Sequence, residues 1–538
     1  MRKWIPILIL GAAQFVMVLD SSVMNVSISQ IAADLDTTIQ GVQLAITAYT
    51  LVMAAFMLVG AKLGDILGRN RAFAIGLAVY GLGSLTTSLS PNLTVLLIGW
   101  SLIEGIGAVF VIPAIAALVV SNYEGKDRAL AYGIIGGAAG AAIAAGPLIG
   151  GWVTTYLSWR VVFASETVIV IVILLLRRFM QPAPRAEHRP QLDVVGAALS
   201  ALGLGLAVFG ILKSSEWGWI EPLGALTIGG HEITPLGFSV VPFLILGGVA
   251  LLGGFAMWEE HRERQGRDTL LDRSLLKIER LRAGLSTLLM QQLVLMGTFF
   301  VLPVYLQVVL GLDAFETGKR LFPMSITMLI AALGGSKLAG RFTPKRVCQL
   351  GLAALTIATI FLVGTIEPEL NERGFALALA IFGLGAGLLM SQLGNVIMSS
   401  VEPSKSNEAG GLQGTAQNLG ASLGTALIGS ILILGLTNGF TSRIEQNEAI
   451  PPDVQQQILT ASEEGIDIVP VQQVEEIALE AGLPPAQAEE VASDYGDAQL
   501  EALKRSLGAV AVFALLAFWF TRRLPARPTA ESGAPVLS

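Results

Sequence analysis

The chain has 538 residues, of which 53% are hydrophobic and only 14% are charged, and its formal net charge is −7. So few charges could not cover the surface of a soluble protein of this length, which leaves the class of polytopic membrane proteins. The acidity belongs to one segment, because residues 441–505 contain 14 acidic and 3 basic residues.

Apolar runs of roughly 20 residues, each long enough to cross a bilayer as a helix, occur fourteen times along the chain. The first run starts near Ile5, directly after Arg2 and Lys3, and its length favours an uncleaved span over a signal peptide. An even number of spans puts both termini on one side, where 26 of the 34 Lys and Arg residues then fall. The positive-inside rule therefore predicts cytoplasmic termini in a multi-pass protein of the inner or plasma membrane.

A charged segment between the second and third spans occurs twice. It runs from Gly60 to Phe73 as GAKLGDILGRNRAF, and a second copy begins 275 residues later at Gly335. Its glycines allow two helix ends to approach closely, and its charges can pair across neighbouring helices. We interpret the first copy as a conformational latch, with simple topogenic charge as the alternative. The predicted latch residues are Gly60, Asp65, Gly68, Arg69 and Arg71.

A repeat offset of 275 residues leaves the seventh and eighth spans outside the repeat, as an inserted pair. The sequence thus predicts an all-α polytopic membrane protein with an N-terminal six-helix bundle (1–178), an inserted helix pair with cytoplasmic linkers (179–282) and a C-terminal six-helix bundle (283–538). The last contains an external acidic loop, 438–503. Helical spacing from Val471 to Leu479 predicts a small helical cap in this loop, and a passive spacer is an equal alternative.

Two carboxyl groups are predicted to lie in the middle of spans. Asp20 lies within LILGAAQFVMVLDSSVMNVSI, and Glu104 lies within LTVLLIGWSLIEGIGAVFVIPA. A charge at the centre of a span costs about 2.5 to 3.5 kcal/mol, so burial favours the protonated acid and makes each residue a candidate for proton coupling. The alternative is a structural carboxylate held by a nearby hydroxyl or amide group. Glu166, six residues beyond Arg160, is instead predicted to be an interfacial ion-pair partner.

The fifth span, GIIGGAAGAAIAAGPLIGGWV, has small residues at helical spacing and a proline that allows a bend. This pattern is typical of tight helix contact. Helix-packing roles are predicted for Gly146, Pro147 and Gly150. Polar residues within the spans are candidates for lining a substrate cavity, and ordinary interhelical hydrogen bonding is their alternative. They are Asn25, Ser101, Gln291, Tyr305, Gln392 and Asn395.

All three histidines, His188, His231 and His261, lie outside the predicted spans, and the sequence contains neither a phosphate-binding glycine loop nor a catalytic triad. We therefore expect no enzymatic activity, no cofactor and no metal site. The expected partners are a small-molecule substrate, protons and the lipid bilayer. No nucleic-acid partner is expected, and a monomer is favoured.

The charged hairpin, the run AGPLIGG and the segment LDSSVMNVSI together resemble the signature motifs of the major facilitator superfamily. Fourteen spans resemble its drug/proton antiporter branch, whose fold has two six-helix bundles plus two inserted central helices. In that family the first and fourth core helices line the cavity, which implies that Asp20 and Glu104 share it. The chain departs from the family in the fourth-span motif, where Ser101 stands in place of the usual arginine and Glu104 in place of the glutamine. Gly105 matches the glycine of the motif.

The resemblance implies a proton-coupled exporter of amphipathic small molecules, cations among them, that works by alternating access. Two alternatives stay open at this point. One is an exporter or flippase of a single endogenous lipid or glycoconjugate. The other is a non-transporting membrane sensor or scaffold whose external acidic loop binds a partner.

Overall fold

A computed structural model describes residues 4–123, 125–180, 191–222, 226–228, 231–338, 342–402, 405–462 and 466–524. Nearly all of these residues are helical, as the apolar runs predict. The α-helices in chain order are α1 Ile5–Val26, α2 Ile28–Asp34, α3 Ile39–Leu67, α4 Arg69–Ser88, α5 Leu93–Leu96, α6 Gly105–Asn122, α7 Gly125–Tyr156, α8 Trp159–Leu176, α9 Val194–Trp217, α10 Val241–Arg264, α11 Arg273–Lys277, α12 Glu279–Val304, α13 Ala314–Leu338, α14 Pro344–Val363, α15 Glu372–Met398, α16 Ser406–Gln446, α17 Pro452–Ser462, α18 Val471–Glu480 and α19 Pro485–Thr521.

Two spans change their hydrogen-bonding pattern along their length. A π-helix, Leu97–Glu104, joins α5 to α6 within the fourth span, and a second one, Tyr305–Val309, completes the ninth span after α12. Short 3₁₀ turns follow α8 at Arg177–Phe179 and precede α10 at Pro235–Gly237. The predicted all-α fold has one small exception between α9 and α10. Strands β1 (Leu226–Ile228) and β2 (His231–Ile233) pair antiparallel there, with Leu226 opposite Ile233.

Twelve segments among the described residues are long and apolar enough to cross a membrane. All fourteen predicted spans are helical, but α4 and α13 are not among the twelve. Each carries charged residues near an end, such as Arg69 and Arg71 in α4 and Lys319 and Arg320 in α13. Both helices still pack inside the bundles, α4 against α6 and α8 and α13 against α15 and α7. The number of fourteen spans therefore stays a prediction.

The helices form two groups with an inserted pair beside them. In the first group α1 packs on α7 and α8, and α3 and α4 pack on α6. In the second group α12, α14 and α16 all pack on α19, and α15 packs on α13 and α14. The inserted helices α9 and α10 pack on each other, and α9 also contacts α3 and α16, where the hydroxyl groups of Ser214 and Ser430 are hydrogen-bonded at 2.7 Å. Helix α9 thus lies along the seam between the two groups, and α10 packs on α9.

The two groups meet through two helix pairs, α3 with α16 and α7 with α13. At the first seam the Gln43 amide nitrogen donates to the Thr425 carbonyl at 2.9 Å, and the Ser422 hydroxyl donates to the Thr47 carbonyl at 3.1 Å. The long helices alternate in direction, so the first begins and the last ends on the same face of the bundle. We call this the terminal face and the opposite one the loop face.

The acidic segment forms a helical cap on the loop face. Helix α18 packs on the long amino-terminal extension of α19, and α17 packs on α16. The Tyr495 hydroxyl of α19 donates to the Asp467 carbonyl at 2.8 Å. Gln40, at the start of α3, donates to the Ile466 carbonyl at 3.3 Å and connects the cap to the first group. The predicted short helix corresponds to α18. The predicted loop is otherwise shorter than expected, because α16 continues to Gln446 and α19 already begins at Pro485.

Candidate functional site

Three carboxyl groups from three spans meet inside the first helical group. Asp20 comes from α1, Glu104 ends the π-helix of the fourth span and Glu166 comes from α8. Side-chain oxygens of the three lie within 4.8 Å of one another. Asp20 and Glu104 are 0% exposed and Glu166 is 1% exposed, so the cluster is sealed from solvent in this conformation. We call these three residues the carboxylate cluster.

Aromatic side chains enclose Asp20. The indole nitrogen of Trp100 donates to both carboxylate oxygens, at 2.8 Å to Oδ1 and 3.0 Å to Oδ2. Tyr49 stacks on the Trp100 ring with centroids 4.6 Å apart and planes inclined by 9°, and its hydroxyl faces Asp20. A charge-assisted bond from Trp100 would favour the ionised acid, whereas the complete burial opposes it.

The backbone of the fourth span brings Trp100 and Glu104 to one side. Both lie in the π-helix, a geometry found frequently at functional sites. Glycines permit the close approach to α4, because a Cβ on Gly83 would stand 2.5 Å from the Glu104 nitrogen and one on Gly107 would stand 2.5 Å from the Tyr80 nitrogen. The resulting contact places Tyr80 and Ser84 of α4 beside the cluster.

Half of the carboxyl oxygens of the cluster make no hydrogen bond of good geometry with a described residue. These are both oxygens of Glu104 and Oε1 of Glu166, although Tyr80 and Ser84 lie beside both glutamates. The Ser84 hydroxyl donates to Oε2 of Glu166 at 3.4 Å. No Lys, Arg or His in the described part of the chain forms an ion pair with the three acids. Two negative charges at such a separation repel by about 3 kcal/mol even at an effective dielectric of 20. The cluster therefore needs bound protons or a cation to be stable.

The cluster also bears on the expected absence of a metal site, which came from the positions of the histidines. Converging carboxylate oxygens are the kind of ligand set that hard cations accept. The expectation of no metal therefore stays a prediction, and proton binding and cation binding must be separated by experiment.

Asp20 and Glu104 lie together, as the family resemblance implied, but inside the first helical group and not on an open cavity. Two nearby polar groups that could have held these acids as structural carboxylates, the Asn25 amide and the Ser101 hydroxyl, bond to backbone carbonyls instead. The Asn25 amide nitrogen donates to the Ser21 carbonyl at 2.7 Å, and the Ser101 hydroxyl donates to the Ala45 carbonyl at 2.9 Å. The indole of Trp100, which the sequence analysis did not propose, is the donor that Asp20 uses.

Glu166 is not the interfacial ion-pair partner that its distance from Arg160 suggested. Arg160 pairs with Asp34 at 3.2 Å and donates to the Ser90 carbonyl at 3.0 Å. Arg160 lies at the start of α8 near the loop face, and Glu166 lies almost two helical turns deeper, where it faces the other acids. The prediction was wrong because sequence distance alone did not show which helix face each residue occupies.

The candidate cavity residues of the second group are mostly bonded to neighbouring backbone. Gln291 donates to the Ala386 carbonyl at 3.3 Å, and Gln392 donates to the Gly335 carbonyl at 3.0 Å. The Tyr305 hydroxyl donates to the Glu367 carbonyl at 2.7 Å near the loop face. Asn395 is the exposed member of the set. In this conformation Gln291 and Gln392 connect helices, and Tyr305 bonds to the loop between α14 and α15. A role in substrate binding stays a prediction for all of the candidate cavity residues.

The predicted latch residues lie at the terminal face of the first group. Gly68 has φ = +88°, a backbone conformation that favours glycine, and it forms the turn between α3 and α4. Arg69 lies 3.8 Å from Asp65 and donates to the Ala117 carbonyl of α6 at 3.2 Å. Gly60 packs directly on Val109 of α6. Arg71 is exposed, and residues 339–341 of the second hairpin lie outside the described residues.

The small residues of α7 contact both helical groups. Gly146 packs on Ser22 of α1 and Gly150 packs on Val23 of α1, with a Cβ on Gly150 standing 2.8 Å from a Val23 methyl carbon. On the opposite side, a Cβ on Gly318 of α13 would overlap the carbonyl oxygen of Pro147. The predicted packing residues of α7 thus lie where α1, α7 and α13 meet.

The contact of α7 with α13 between the two groups is tight near the loop face. Near the loop face the Phe315 backbone nitrogen donates to the Thr155 hydroxyl at 3.1 Å, and the Gln307 amide nitrogen donates to the Val26 carbonyl at 2.6 Å. Towards the terminal face, a Cβ on Gly136, Gly137 or Gly334 would meet open space. Between these two regions α7 and α13 remain in contact, because a Cβ on Gly140 would stand 2.8 Å from a methyl carbon of Leu329.

The family of the protein is established by a sequence match over most of the chain. The model of the Major Facilitator Superfamily matches residues 10–230 and 222–425. The chain belongs to this superfamily. It is therefore a multi-pass membrane protein, and among the superfamily it falls in the drug exporter branch.

Several curated members of the superfamily are similar to the chain over most of their length. A probable actinorhodin transporter of Streptomyces coelicolor is 29% identical over 82% of this chain and 75% of its own. The puromycin resistance protein of Streptomyces alboniger is 30% identical over 80% and 82%, and the cephamycin export protein of Amycolatopsis lactamdurans is 30% identical over 77% and 82%. Among solved superfamily structures, an inward-facing, unoccupied bacterial homologue of the human lysosomal transporter Spinster has a TM-score of 0.62 and 15% identity, and covers 97% of this chain and 98% of its own.

Proposed function

We propose that the protein exports amphipathic small molecules, cations among them, in exchange for protons and by alternating access. The carboxylate cluster is the observation that carries this proposal. Placing an acid without a cationic partner inside a membrane span costs free energy, and such acids mark proton relays in transporters. Names of relatives that refer to actinorhodin, puromycin and cephamycin support export of antibiotic-like molecules as the activity.

Asp20 and Glu104 act as the proton-coupling groups in this proposal. In the outward-open state one of them takes up a proton, and in the inward-facing state it releases the proton and attracts a cationic substrate. Protonation and substrate binding then compete, which couples the two movements. Because both acids are fully buried here, the exchange requires a rearrangement that admits water to the cluster.

Helix α1 provides a physical connection between the cluster and the seam. Asp20 lies two residues from Ser22, which packs on Gly146 of α7, and the next residue, Pro147, packs on Gly318 of α13. A shift of α1 that changes the surroundings of Asp20 would therefore also change the contact that closes the loop face. In the proposed orientation, with cytoplasmic termini, the loop face is external and the described conformation is closed towards the exterior.

The test is transport by purified protein in liposomes with an imposed proton gradient. Puromycin, tetraphenylphosphonium and neutral amphiphiles serve as probes, and substrate-induced proton release in detergent identifies those that bind. Asp20→Asn and Glu104→Gln should abolish proton-driven flux of a transported probe while the protein remains folded. Glu263→Gln, at an exposed acid outside the cluster, is the matched control and should leave flux unchanged. Unchanged transport in both cluster variants would reject the assignment.

A further inference from the structure

Glu166 has the same environment as the two acids that the sequence singled out. Its carboxyl group is 1% exposed, lies within 4.8 Å of Asp20 and Glu104, and has one unpaired oxygen. Its hydrogen bond from Ser84 is long, at 3.4 Å. A second observation points to a ligand at this place. The Tyr80 hydroxyl is completely buried and lies close enough to all three carboxyl groups to interact with each, yet it makes no hydrogen bond of good geometry with a described residue.

The surroundings of the cluster contain no compensating positive charge. The titratable groups that face it are Tyr49 from α3 and Tyr80 from α4, and the nearest donors from the other elements are Trp100 and Ser84. Neutral tyrosine, tryptophan and serine can stabilise one negative charge through hydrogen bonds, but they cannot offset two or three. Like charges at this distance in a dry site do not ionise together, so at most one of the three acids carries a charge.

We infer that Glu166 is a third proton-binding carboxyl group and that the cluster holds at least two protons in the closed conformation. The protons belong to the three acids jointly, because each acid changes the protonation of the other two. The inference deepens the proposed function, on which its consequence for transport rests. If the cluster opens to water during transport, more than one proton can move for each exported molecule.

The test counts the protons directly and does not require transport. Infrared spectroscopy of purified protein in lipid at neutral pH measures the carbonyl stretch of protonated carboxyl groups, and buried groups are recognised by slow exchange in heavy water. Glu166→Gln should remove one protonated carboxyl group, so that the part of the band assigned to the cluster falls by about a half if it holds two protons and by about a third if it holds three. Asp20→Asn and Glu104→Gln should each lower the band, and Glu263→Gln should leave its slowly exchanging part unchanged.

Tyr80→Phe keeps all three acids and removes a neutral hydroxyl group that lies beside them. The three carboxyl groups still hold at least two protons, so the band should be retained in this variant, in contrast to its fall in Glu166→Gln. If Glu166→Gln does not fold, the wild-type protein and the other two acid variants still give the count.

Three results would overturn the inference. The first is a band in Glu166→Gln equal to that of the wild type. The second is fewer than two protonated carboxyl groups assigned to the cluster. The third is loss of the band on adding sodium chloride but not choline chloride, which would assign the cluster to a metal cation. If instead the band behaves as expected and flux in liposomes ignores the proton gradient, the proton-coupled export fails and the proton-binding assignment stands.

Discussion

The two helical groups have matching helix contacts but differ in the side chains that lie at those contacts. In the first group Gly105 of the fourth span packs on Tyr49 and Val52 of α3. In the second group Gly383 of α15 packs on Met324 and Thr327 of α13, which lie 275 residues after their counterparts. The contacts made by the third span of each group, α4 and α14, repeat as well. Gly107 packs on Tyr80 and Gly76 of α4, and Gly385 packs on Leu355 and Gly351 of α14.

These matched contacts identify which residues of the second group stand where the cluster lies in the first. Glu104 precedes Gly105 and Phe382 precedes Gly383, so Phe382 occupies the position of Glu104. Met324 and Leu355 occupy the positions of Tyr49 and Tyr80, and all three counterparts are buried in the apolar core. The matching helix contacts of the second group thus form with apolar residues at these three positions. An acid at the position of Glu104 is therefore not required for this packing.

The largest expected effect comes from replacing Glu104 with an apolar residue, as is found at the corresponding position of the second group. Glu104→Met removes an unpaired buried acid and inserts an apolar side chain of similar length. Replacing buried charged groups by apolar ones is often neutral or stabilising, so thermal unfolding in detergent should be unchanged or move to higher temperature. Proton-driven export in liposomes should fall to background. Phe382→Met is the matched control and should keep export. A folded Glu104→Met protein that exports normally would contradict the functional difference between the groups.

A smaller loss is expected from Trp100→Phe, which keeps the stacking surface for Tyr49 and removes both hydrogen bonds to Asp20. Hydrogen bonds to charged groups contribute about 1.5 to 3 kcal/mol, so proton-driven flux should fall by roughly tenfold or more. Trp159 makes a comparable bond to Asp34 at 2.9 Å outside the cluster, and Trp159→Phe is therefore the control. Equal losses of flux in the two variants would show that Trp100 has no special role at Asp20.

The sequence was sufficient for the fold because composition and helix length dominate in a membrane protein. The repeat of Gly60 at Gly335 indicated two related bundles, and the comparisons confirm the superfamily. The small β-hairpin at Leu226–Ile228 and His231–Ile233 was missed, since two strands of 3 residues carry almost no periodic signal. The helical extensions of α16 and α19 were missed because hydropathy marks the membrane and not the end of a helix.

The site could be predicted only in part. Asp20 and Glu104 were recognisable because a lone acid in an apolar run is conspicuous. Their partners were not, because Trp100, Tyr80 and Glu166 come from three different spans, and the contact depends on the rotation of each helix. A signal for Trp100 was present in the sequence, since it precedes Glu104 by four residues and shares a helix face with it. Glu166 needed the structure, because Arg160 offered a simpler explanation.

The shared packing itself predicts equal and moderate effects on stability in the two groups. Gly107→Ala places a Cβ 2.5 Å from the Tyr80 nitrogen, and Gly385→Ala places one 2.6 Å from the Gly351 carbonyl oxygen. Backbone atoms on the facing helix cannot move aside as a side chain can, and overpacking of this kind costs about 1 to 3 kcal/mol. Thermal unfolding of both variants should fall by similar amounts. A loss confined to one variant would show that the two groups do not share this contact.

The smallest expected effect concerns a contact of the second group with the linker before it. Lys405, in the turn before α16, lies 2.6 Å from Asp272 and 2.9 Å from the Ser274 hydroxyl. Burial alone would raise the pKa of Asp272, but hydrogen bonds from Lys405 and Ser274 outweigh it and hold that pKa below its usual value of 3.8. The hydrogen bond to Asp272 in turn raises the pKa of Lys405 above 10.5.

The signs of the two shifts define a pH window for this contact. An acid whose pKa is lowered on folding stabilises the folded state at a pH above its ordinary pKa, and this effect is lost as the pH falls through the lowered pKa. A base whose pKa is raised on folding stabilises the folded state at a pH below its ordinary pKa, and this effect is lost as the pH rises through the raised pKa. The pair should therefore stabilise the fold between about pH 4 and pH 10. Both side chains are partly exposed, so a double-mutant cycle of Asp272→Asn and Lys405→Met at pH 7 should give a coupling below about 1 kcal/mol. The coupling should weaken as the pH falls through the lowered pKa of Asp272, and a coupling that stays constant over the whole acid range in which the protein is folded would mean that packing, not charge, holds the linker against the second group.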